Sequence, residues 1–219
     1  MVKEINKSEN KYPIPAEIKY VYDRAVLLRK ENRQESARRV LLGLLELYPE
    51  EPRILNLVAT TYLDEEGGEE EAEKYFLRSL EYAPDFGDAL SNLSGLYSRL
   101  GRYEESAGCA RRAIKANPKN GAPWMTLGLY YARSGEIKTA LEYFLAAYSR
   151  DESYSLAAYN AACALSELGR YNEAFEYLEK SLVLRRNLEY AKTDHNLAPL
   201  REYPEFGRII AEAEKRLQG

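Results

Sequence analysis

Apolar residues recur along most of the chain with the three- and four-residue spacing of amphipathic helices, and this pattern itself repeats. The segment LGRYNEAFEYLEKSL begins at Leu168, and an imperfect copy, LGRYEESAGCARRAI, begins 68 residues earlier at Leu100. A third version, SGEIKTALEYFLAAY, begins midway between them at Ser134. The period is therefore 34 residues, which predicts a chain built from repeated helical units.

Glycine marks the end of one predicted helix in each unit, because a residue without a Cβ can adopt the left-handed backbone that closes a helix. Four glycines follow one another at the 34-residue period: Gly67, Gly101, Gly135 and Gly169. Five residues after each glycine comes a small side chain, which lets two helices approach closely. These small residues are Ala72, Ser106, Ala140 and Ala174. Each unit is therefore predicted to be a helical hairpin.

Proline is expected to close the second helix of the first three units, at Pro49, Pro84 and Pro118. The residue before a proline is pushed out of helical geometry, so a helix ends there. Glu152 and Arg186 stand at the equivalent positions of the next two units. Those two junctions are expected to be less sharply marked.

The chain resembles the tetratricopeptide repeat (TPR) proteins, most clearly over residues 121–154. That segment carries the residues of the family pattern at Trp124, Leu127, Gly128, Tyr131, Gly135, Ala140, Phe144 and Ala147. It departs from the pattern at Glu152, where the family usually has proline. The resemblance implies an all-α fold, a right-handed αα-superhelix of stacked hairpins (a TPR solenoid) with a C-terminal capping helix.

The period divides the chain into an N-terminal extension, five repeats and a C-terminal end. Residues 1–17, which include the motif YPIP, are predicted to be a mobile extension. Residues 189–219 are interpreted as a degenerate sixth repeat and the capping helix, because Pro199 and Pro204 interrupt the pattern. The five repeats are predicted at residues 18–52, 53–86, 87–120, 121–154 and 155–188, with Asn32 in place of the glycine in the first.

The charge and composition of the chain narrow the classes of partner that it is expected to bind. The formal net charge is −4 and the sequence pI is about 5.4, so no overall positive field attracts nucleic acid. The acidic pI and the 34-residue period also argue against the RNA-binding pentatricopeptide repeats. No stretch approaches the ~18 consecutive apolar residues of a membrane span, and the first residues lack the apolar region of a signal peptide. We therefore expect no nucleic acid, no membrane insertion and a cytoplasmic location.

Residues that carry chemistry are few and scattered. A zinc site would have to bring together His195, Cys109 and Cys163, which lie in different repeats. No phosphate-binding glycine loop, nucleophile elbow or metalloprotease motif is present. We therefore predict a protein that is not an enzyme and that has no catalytic residues, no metal and no cofactor.

The resemblance implies that a ligand lies on the first helix of each repeat, on the concave side. The second, fifth, ninth and twelfth residues of a repeat fall on one stripe of that helix, which we call the first-helix face. A polar row lies beside it at the sixth residue: Asp23, Asn92, Thr126, Asn160 and Asp194. The candidate groove residues are Ile54, Leu57, Asn92, Met125, Thr126, Leu129, Leu156, Tyr159, Asn160 and Tyr190.

An apolar stripe with amide side chains beside it favours a non-catalytic scaffold that binds a peptide or a helix of a partner protein in its concave groove. Two alternatives stay open. The array could self-associate as a structural protein, with the YPIP segment entering the groove of a neighbour, or it could be a regulatory subunit of an enzyme or a secretion complex. RNA binding is the least favoured reading. The groove positions lack the basic residues with which some TPR proteins clamp a C-terminal carboxylate, so that function is not expected.

Overall fold

The structure is a computed structural model that describes residues 11–218. Over that range the chain forms twelve α-helices and one 3-10 helix and contains no strand. The all-α fold that the pattern predicts is confirmed. The chain divides into two compact units, Met1–Pro118 and Lys119–Gly219, which we call the N-terminal unit and the C-terminal unit.

The N-terminal unit contains six helices that pack as three successive hairpins. Helix α1 packs on α2, α3 on α4 and α5 on α6, and within this unit α2 contacts α3 and α4 contacts α5. The helices are α1 Lys19–Lys30, α2 Gln34–Leu47, α3 Pro52–Tyr62, α4 Glu69–Tyr82, α5 Gly87–Arg99 and α6 Tyr103–Ala116.

The C-terminal unit begins with two more hairpins, α7 on α8 and α9 on α10, and ends in the short helix α11, a 3-10 helix and the 15-residue helix α12. Its last helix, α12, packs against α10, α11 and the 3-10 helix. The elements are α7 Gly121–Arg133, α8 Ile137–Arg150, α9 Ser155–Glu167, α10 Tyr171–Ser181, α11 Arg185–Thr193, the 3-10 helix His195–Glu202 and α12 Pro204–Gln218.

The turns within the hairpins have the backbone that the glycine spacing predicts. Gly67, Gly101, Gly135 and Gly169 have φ angles between 72° and 77°. Asn32 occupies the same place in the first hairpin and has a φ of 61°, the one positive φ among the described residues other than glycine. Asparagine tolerates this conformation better than most side chains. The first hairpin therefore keeps the turn of the others without its glycine.

Close contact between paired helices explains the small residues at the fixed spacing. Ala72, Ser106, Ala140 and Ala174 are all buried. A close approach occurs at Gly128 of α7, where an added Cβ would lie 2.5 Å from two ring carbons of Phe144 in α8. A real Cβ cannot stand that close to a ring atom, so glycine is required for this pair of helices to pack as they do.

The second helices of the first three hairpins end just before the prolines, as predicted. Helices α2, α4 and α6 stop two residues before Pro49, Pro84 and Pro118. The position of Arg186 differs, because it lies inside α11, which already begins at Arg185. Without a proline there, the chain leaves α10 at Ser181 and enters a new helix four residues later.

The C-terminal end departs from the repeat over residues 185–218. Residue 189, the predicted start of the degenerate sixth repeat, falls in the middle of α11, so this boundary does not coincide with a helix end. Pro199 lies within the 3-10 helix and Pro204 begins α12, so the two prolines interrupt the pattern where expected. On α12, Phe206 and Ile209 are buried. Its role as a cap that protects the array stays a prediction.

Part of the predicted mobile extension packs on the N-terminal unit. The first ten residues lie outside the described part of the chain. Tyr12 contacts the ring of Phe86, and Ile14 packs on the apolar cluster around Ile18 and Ile54. Residues 11–15 therefore do not form a free extension, because their side chains meet the folded part of the same chain. We call these five residues the N-terminal arm.

None of the helices found between residues 11 and 218 is long and apolar enough to cross a membrane.

Candidate functional site

The first-helix face of the N-terminal unit is largely covered. Ile54, at the second position of its repeat, is 0% exposed, and Leu57 is also buried. Both belong to the apolar cluster that includes Ile18 and Leu41. The expectation that these two side chains line an open groove is corrected, because Ile54 has no exposed surface and Leu57 has very little.

Asn92 of α5 lies at the surface of the same unit but is held by another asparagine. Its Nδ2 donates to Oδ1 of Asn56 on α3 at 3.0 Å, and both side chains are half-buried. The bond joins the first helices of adjacent hairpins. A buried or half-buried amide that already has a partner stabilises the array, so Asn92 has a structural role in addition to its predicted one.

The first-helix face of the C-terminal unit exposes more apolar surface. Leu129 of α7 is 37% exposed, whereas Met125, one turn earlier, is buried. Leu156 at the start of α9 is half-buried and packs at the edge of the core. Of these three candidates, Leu129 and Leu156 can offer apolar contact, and Met125 belongs to the core.

Tyr159 lies beneath the last part of this face and is buried, contrary to its prediction as an open groove residue. Its hydroxyl donates to Oδ2 of Asp194 at 2.9 Å. Tyr190 of α11 covers the Tyr159 ring edge-to-face, with 6.5 Å between the ring centroids. Tyr190 itself is 51% exposed. The structure therefore brings two of the predicted tyrosines together, and only the outer ring is open to a ligand.

Asp194 anchors the 3-10 helix to α9 through both of its carboxylate oxygens. Oδ1 accepts the backbone N–H of Asn196 at 3.0 Å. Oδ2 accepts the Tyr159 hydroxyl and lies 3.7 Å from the thiol of Cys163. Burial raises the pKa of the Cys163 thiol, and the negative charge of Asp194 raises it further. Cys163 is therefore a protonated, weakly nucleophilic thiol, and the cluster is a structural joint.

The polar candidates Thr126 and Asn160 bond back to their own helices. Thr126 Oγ1 donates to the carbonyl of Ala122 at 3.2 Å, and Asn160 Nδ2 donates to the carbonyl of Leu156 at 2.8 Å. Both side chains are half-buried. The amide of Asn160 has a second N–H and a carbonyl oxygen besides this bond, which are the groups a peptide backbone requires.

Two residues that form hydrogen bonds at the first-helix face, Asp194 and Asn56, are not among the predicted site residues. Asp194 belongs to the polar row formed by the sixth residue of each repeat, and that regularity is the sequence signal that could identify it. Asn56 lies outside the row, and its partner Asn92 is 36 residues away rather than 34, so the period gave no indication of the pair. Within residues 11–218, no three histidine, cysteine, aspartate or glutamate side chains form a group that could hold a metal.

The helical repeats match known family models. A tetratricopeptide repeat model matches residues 62–121 and 91–158, and a second model with the same description matches residues 156–189. Together they run from residue 62 to residue 189, more than half of the 219 residues. The chain therefore belongs to the tetratricopeptide repeat family, as its sequence pattern predicts. The fold is the TPR solenoid, which typically serves as a non-catalytic scaffold for protein partners.

Relatives in sequence cover only parts of the chain. Tetratricopeptide repeat protein 37 of Xenopus laevis is 31% identical over 94 residues, which are 43% of this chain and 6% of that protein. An uncharacterised protein of Methanocaldococcus jannaschii is 34% identical over 76 residues, which are 35% of this chain and 88% of that protein. The matched region is thus a small part of the Xenopus protein.

Solved structures share the fold over most of the chain. PilF of Pseudomonas aeruginosa has a TM-score of 0.69 at 19% identity, covering 89% of this chain and 96% of its own. MamA has a TM-score of 0.60 at 21% identity, covering 77% and 97%. YrrB, described as a TPR protein with an unusual peptide-binding site, has a TM-score of 0.58 at 22% identity, covering 83% and 90%. At these identities the likeness is one of fold.

Proposed function

We propose that this chain is a non-catalytic scaffold that binds a peptide or a helix of a partner protein on the first-helix face of its C-terminal unit. The observation that carries the proposal is the exposure of Leu129 and Tyr190 on this face. Their counterparts in the core, Met125 and Tyr159, hold the helices in place beneath them. An exposed apolar side chain on a rigid, packed support is suited to contact with a partner.

Polar groups beside the apolar side chains suit a peptide ligand. Asn160 lies one turn after Leu156 on α9, so the two side chains are neighbours on the helix surface. Leu156 and Leu129 would receive apolar side chains of the ligand, while the remaining amide groups of Asn160 would bond to its backbone. YrrB has the same fold and is described as having a peptide-binding site, which supports this class of ligand.

Self-association is the alternative use of the same face, in which a second copy of the chain supplies the partner segment. Molecular mass measured by light scattering over a concentration series separates the two cases. A mass that stays at the 25.1 kDa of one chain favours a different protein as partner. A cytoplasmic location stays a prediction from the sequence.

The test uses peptides selected from a random displayed library on the purified parent chain. One selected peptide is then labelled, and its affinity is measured for Leu129→Glu and Tyr190→Ala. We expect each substitution to weaken binding by about 2 kcal/mol, roughly thirtyfold, if the side chain is a binding hot spot. A glutamate at position 129 would have to lose its water against an apolar ligand, which is unfavourable.

Leu42→Glu is the matched control. Leu42 of α2 is 37% exposed, the same fraction as Leu129, but it lies on the second helix of its hairpin. We expect Leu42→Glu to bind the selected peptide as tightly as the parent does. If Leu129→Glu and Tyr190→Ala also bind at the parent affinity while remaining folded, the first-helix face of the C-terminal unit is not the peptide site.

A further inference from the structure

The N-terminal arm is held on the N-terminal unit by contacts of four kinds. The ammonium group of Lys11 and the hydroxyl of Tyr12 both bind the carboxylate of Asp85. The Tyr12 ring meets Phe86 edge-to-face at 5.6 Å between centroids. Nη1 of Arg53 donates to the backbone carbonyl of Tyr12 at 3.2 Å. These groups belong to the beginning of α3 and to the loop before α5, far along the chain from the arm.

Each contact recognises a different part of the arm, as a peptide-binding site does. Asp85 selects a positive charge and a phenol, and the Phe86 ring supplies an apolar wall for the aromatic ring. Arg53 recognises a backbone carbonyl, which any peptide has. The bonds from Lys11 and Tyr12 lower the pKa of the Asp85 carboxyl, because both favour its charged form.

The arm does not satisfy every polar group at this surface. Nε of Arg53 is buried and has no hydrogen-bond partner among the described residues. A buried donor without an acceptor is unfavourable, so the arm holds one nitrogen of the Arg53 guanidinium and leaves another unpaired. The carboxylate of Asp85, which is exposed, also borders a cleft of about 350 Å³ with Arg112 and Lys115 on its wall. A longer ligand has room there for an acidic side chain.

We propose that Arg53, Asp85 and Phe86 form a binding site for a peptide that carries a lysine followed by a tyrosine, and that the N-terminal arm occupies this site within the same chain. The arm is thus a tethered ligand, and an external peptide of this kind must displace it. A tethered segment competes at an effective concentration in the millimolar range. This site lies on the N-terminal unit and is separate from the first-helix face proposed above.

The experiment measures binding of a fluorescein-labelled peptide with the sequence of residues 8–15, SENKYPIP, to the full-length chain. The double variant Lys11→Ala/Tyr12→Ala removes the side chains of the tethered ligand without shortening the chain. We expect it to bind the peptide at least about tenfold more tightly than the parent, because the site is no longer occupied. Adding Asp85→Ala to the double variant is expected to abolish this binding.

Two further variants guard against a loss of folding. Tyr12→Phe keeps the ring contact with Phe86 and removes only the hydroxyl bond, so its affinity for the peptide should lie between those of the parent and the double variant. Tyr20→Ala removes an aromatic side chain that is 79% exposed on the nearby α1 and should leave the affinity of the parent unchanged.

Three results would overturn the proposal. The first is equal affinity of the peptide for the parent and the double variant, which would show that the arm does not block the site. The second is the absence of binding to both the double variant and Tyr12→Phe. The third is binding that persists after Asp85→Ala. None of these results bears on Leu129 and Tyr190, so the function proposed for the C-terminal unit is tested independently.

Discussion

Ile54 and Tyr190 occupy the same position of the 34-residue period, four repeats apart, and they meet opposite environments. Ile54 on α3 is fully buried, whereas half of the Tyr190 side chain on α11 is exposed. Each is the second residue of its predicted repeat and lies on a first helix of the array. Repeat position alone therefore does not determine whether a side chain is buried.

The neighbours explain the difference. Ile54 packs in a cluster with Ile18 at the start of α1 and with Ile14 of the N-terminal arm. Tyr190 covers one ring, that of Tyr159 beneath it. A stacked repeat buries its apolar face only where another segment of chain lies against it. At Ile54, the start of α1 and the N-terminal arm supply that segment. At Tyr190, the outer surface of the ring is exposed.

The largest effect is expected at the residue beneath Tyr190. Tyr159→Ala removes a buried ring and leaves Asp194 without its hydroxyl donor, so we expect it to lower the free energy of unfolding by about 4 kcal/mol. Tyr190→Ala should lower it by less than about 1 kcal/mol, since half of that ring is already in water. Urea denaturation of the two variants measures both values. Equal losses of unfolding free energy would contradict the assignment of Tyr159 to the core and of Tyr190 to the surface.

Ile54→Ala tests the buried position in the comparison of Ile54 with Tyr190. A buried isoleucine replaced by alanine leaves a cavity, and we expect a loss of about 3 kcal/mol. Ile54→Val, which removes a single methylene, should cost about 1 kcal/mol and serves as the graded control. A near-zero effect of Ile54→Ala in urea denaturation would contradict the packing of α1 and the N-terminal arm against this residue.

The period predicted the backbone well, and particular residues show why. The turns at Gly67, Gly101, Gly135 and Gly169 were predicted from spacing alone, since a left-handed turn between paired helices is a local requirement. Asn32 kept that turn in the repeat that lacks the glycine. Local geometry of this kind depends on a few adjacent residues and is therefore readable in the sequence.

The candidate site was less predictable because burial depends on residues far apart in the chain. Six of its ten residues are exposed or half-buried, and the other four, among them Tyr159, are buried in the core. Nothing in the sequence near Tyr159 indicates that Asp194, 35 residues later, accepts its hydroxyl bond. Likewise, nothing near Lys11 and Tyr12 identifies Asp85 as their partner.

A smaller substitution tests the contribution of the Tyr159 hydroxyl on its own. Tyr159→Phe keeps the ring and deletes the bond to Asp194, so we expect a loss of about 1 kcal/mol. The 3-10 helix should loosen, because Asp194 joins it to α9. Hydrogen exchange at the amide of Asn196 should then be faster than in the parent. Unchanged exchange together with unchanged stability would show that the hydroxyl bond does not hold this joint.

The most direct test of the central claim is native-state thiol labelling at the two equivalent positions. Ile54→Cys and Tyr190→Cys are made separately in a chain whose own cysteines, Cys109 and Cys163, are replaced by alanine. We expect the thiol at position 190 to react with a disulfide reagent at a rate close to that of the urea-unfolded chain. The thiol at position 54 should react only as fast as the protein opens, at least ~100-fold more slowly if opening costs several kcal/mol. Equal rates at the two positions in folded protein would contradict the account, because burial would then follow repeat position rather than the neighbouring chain.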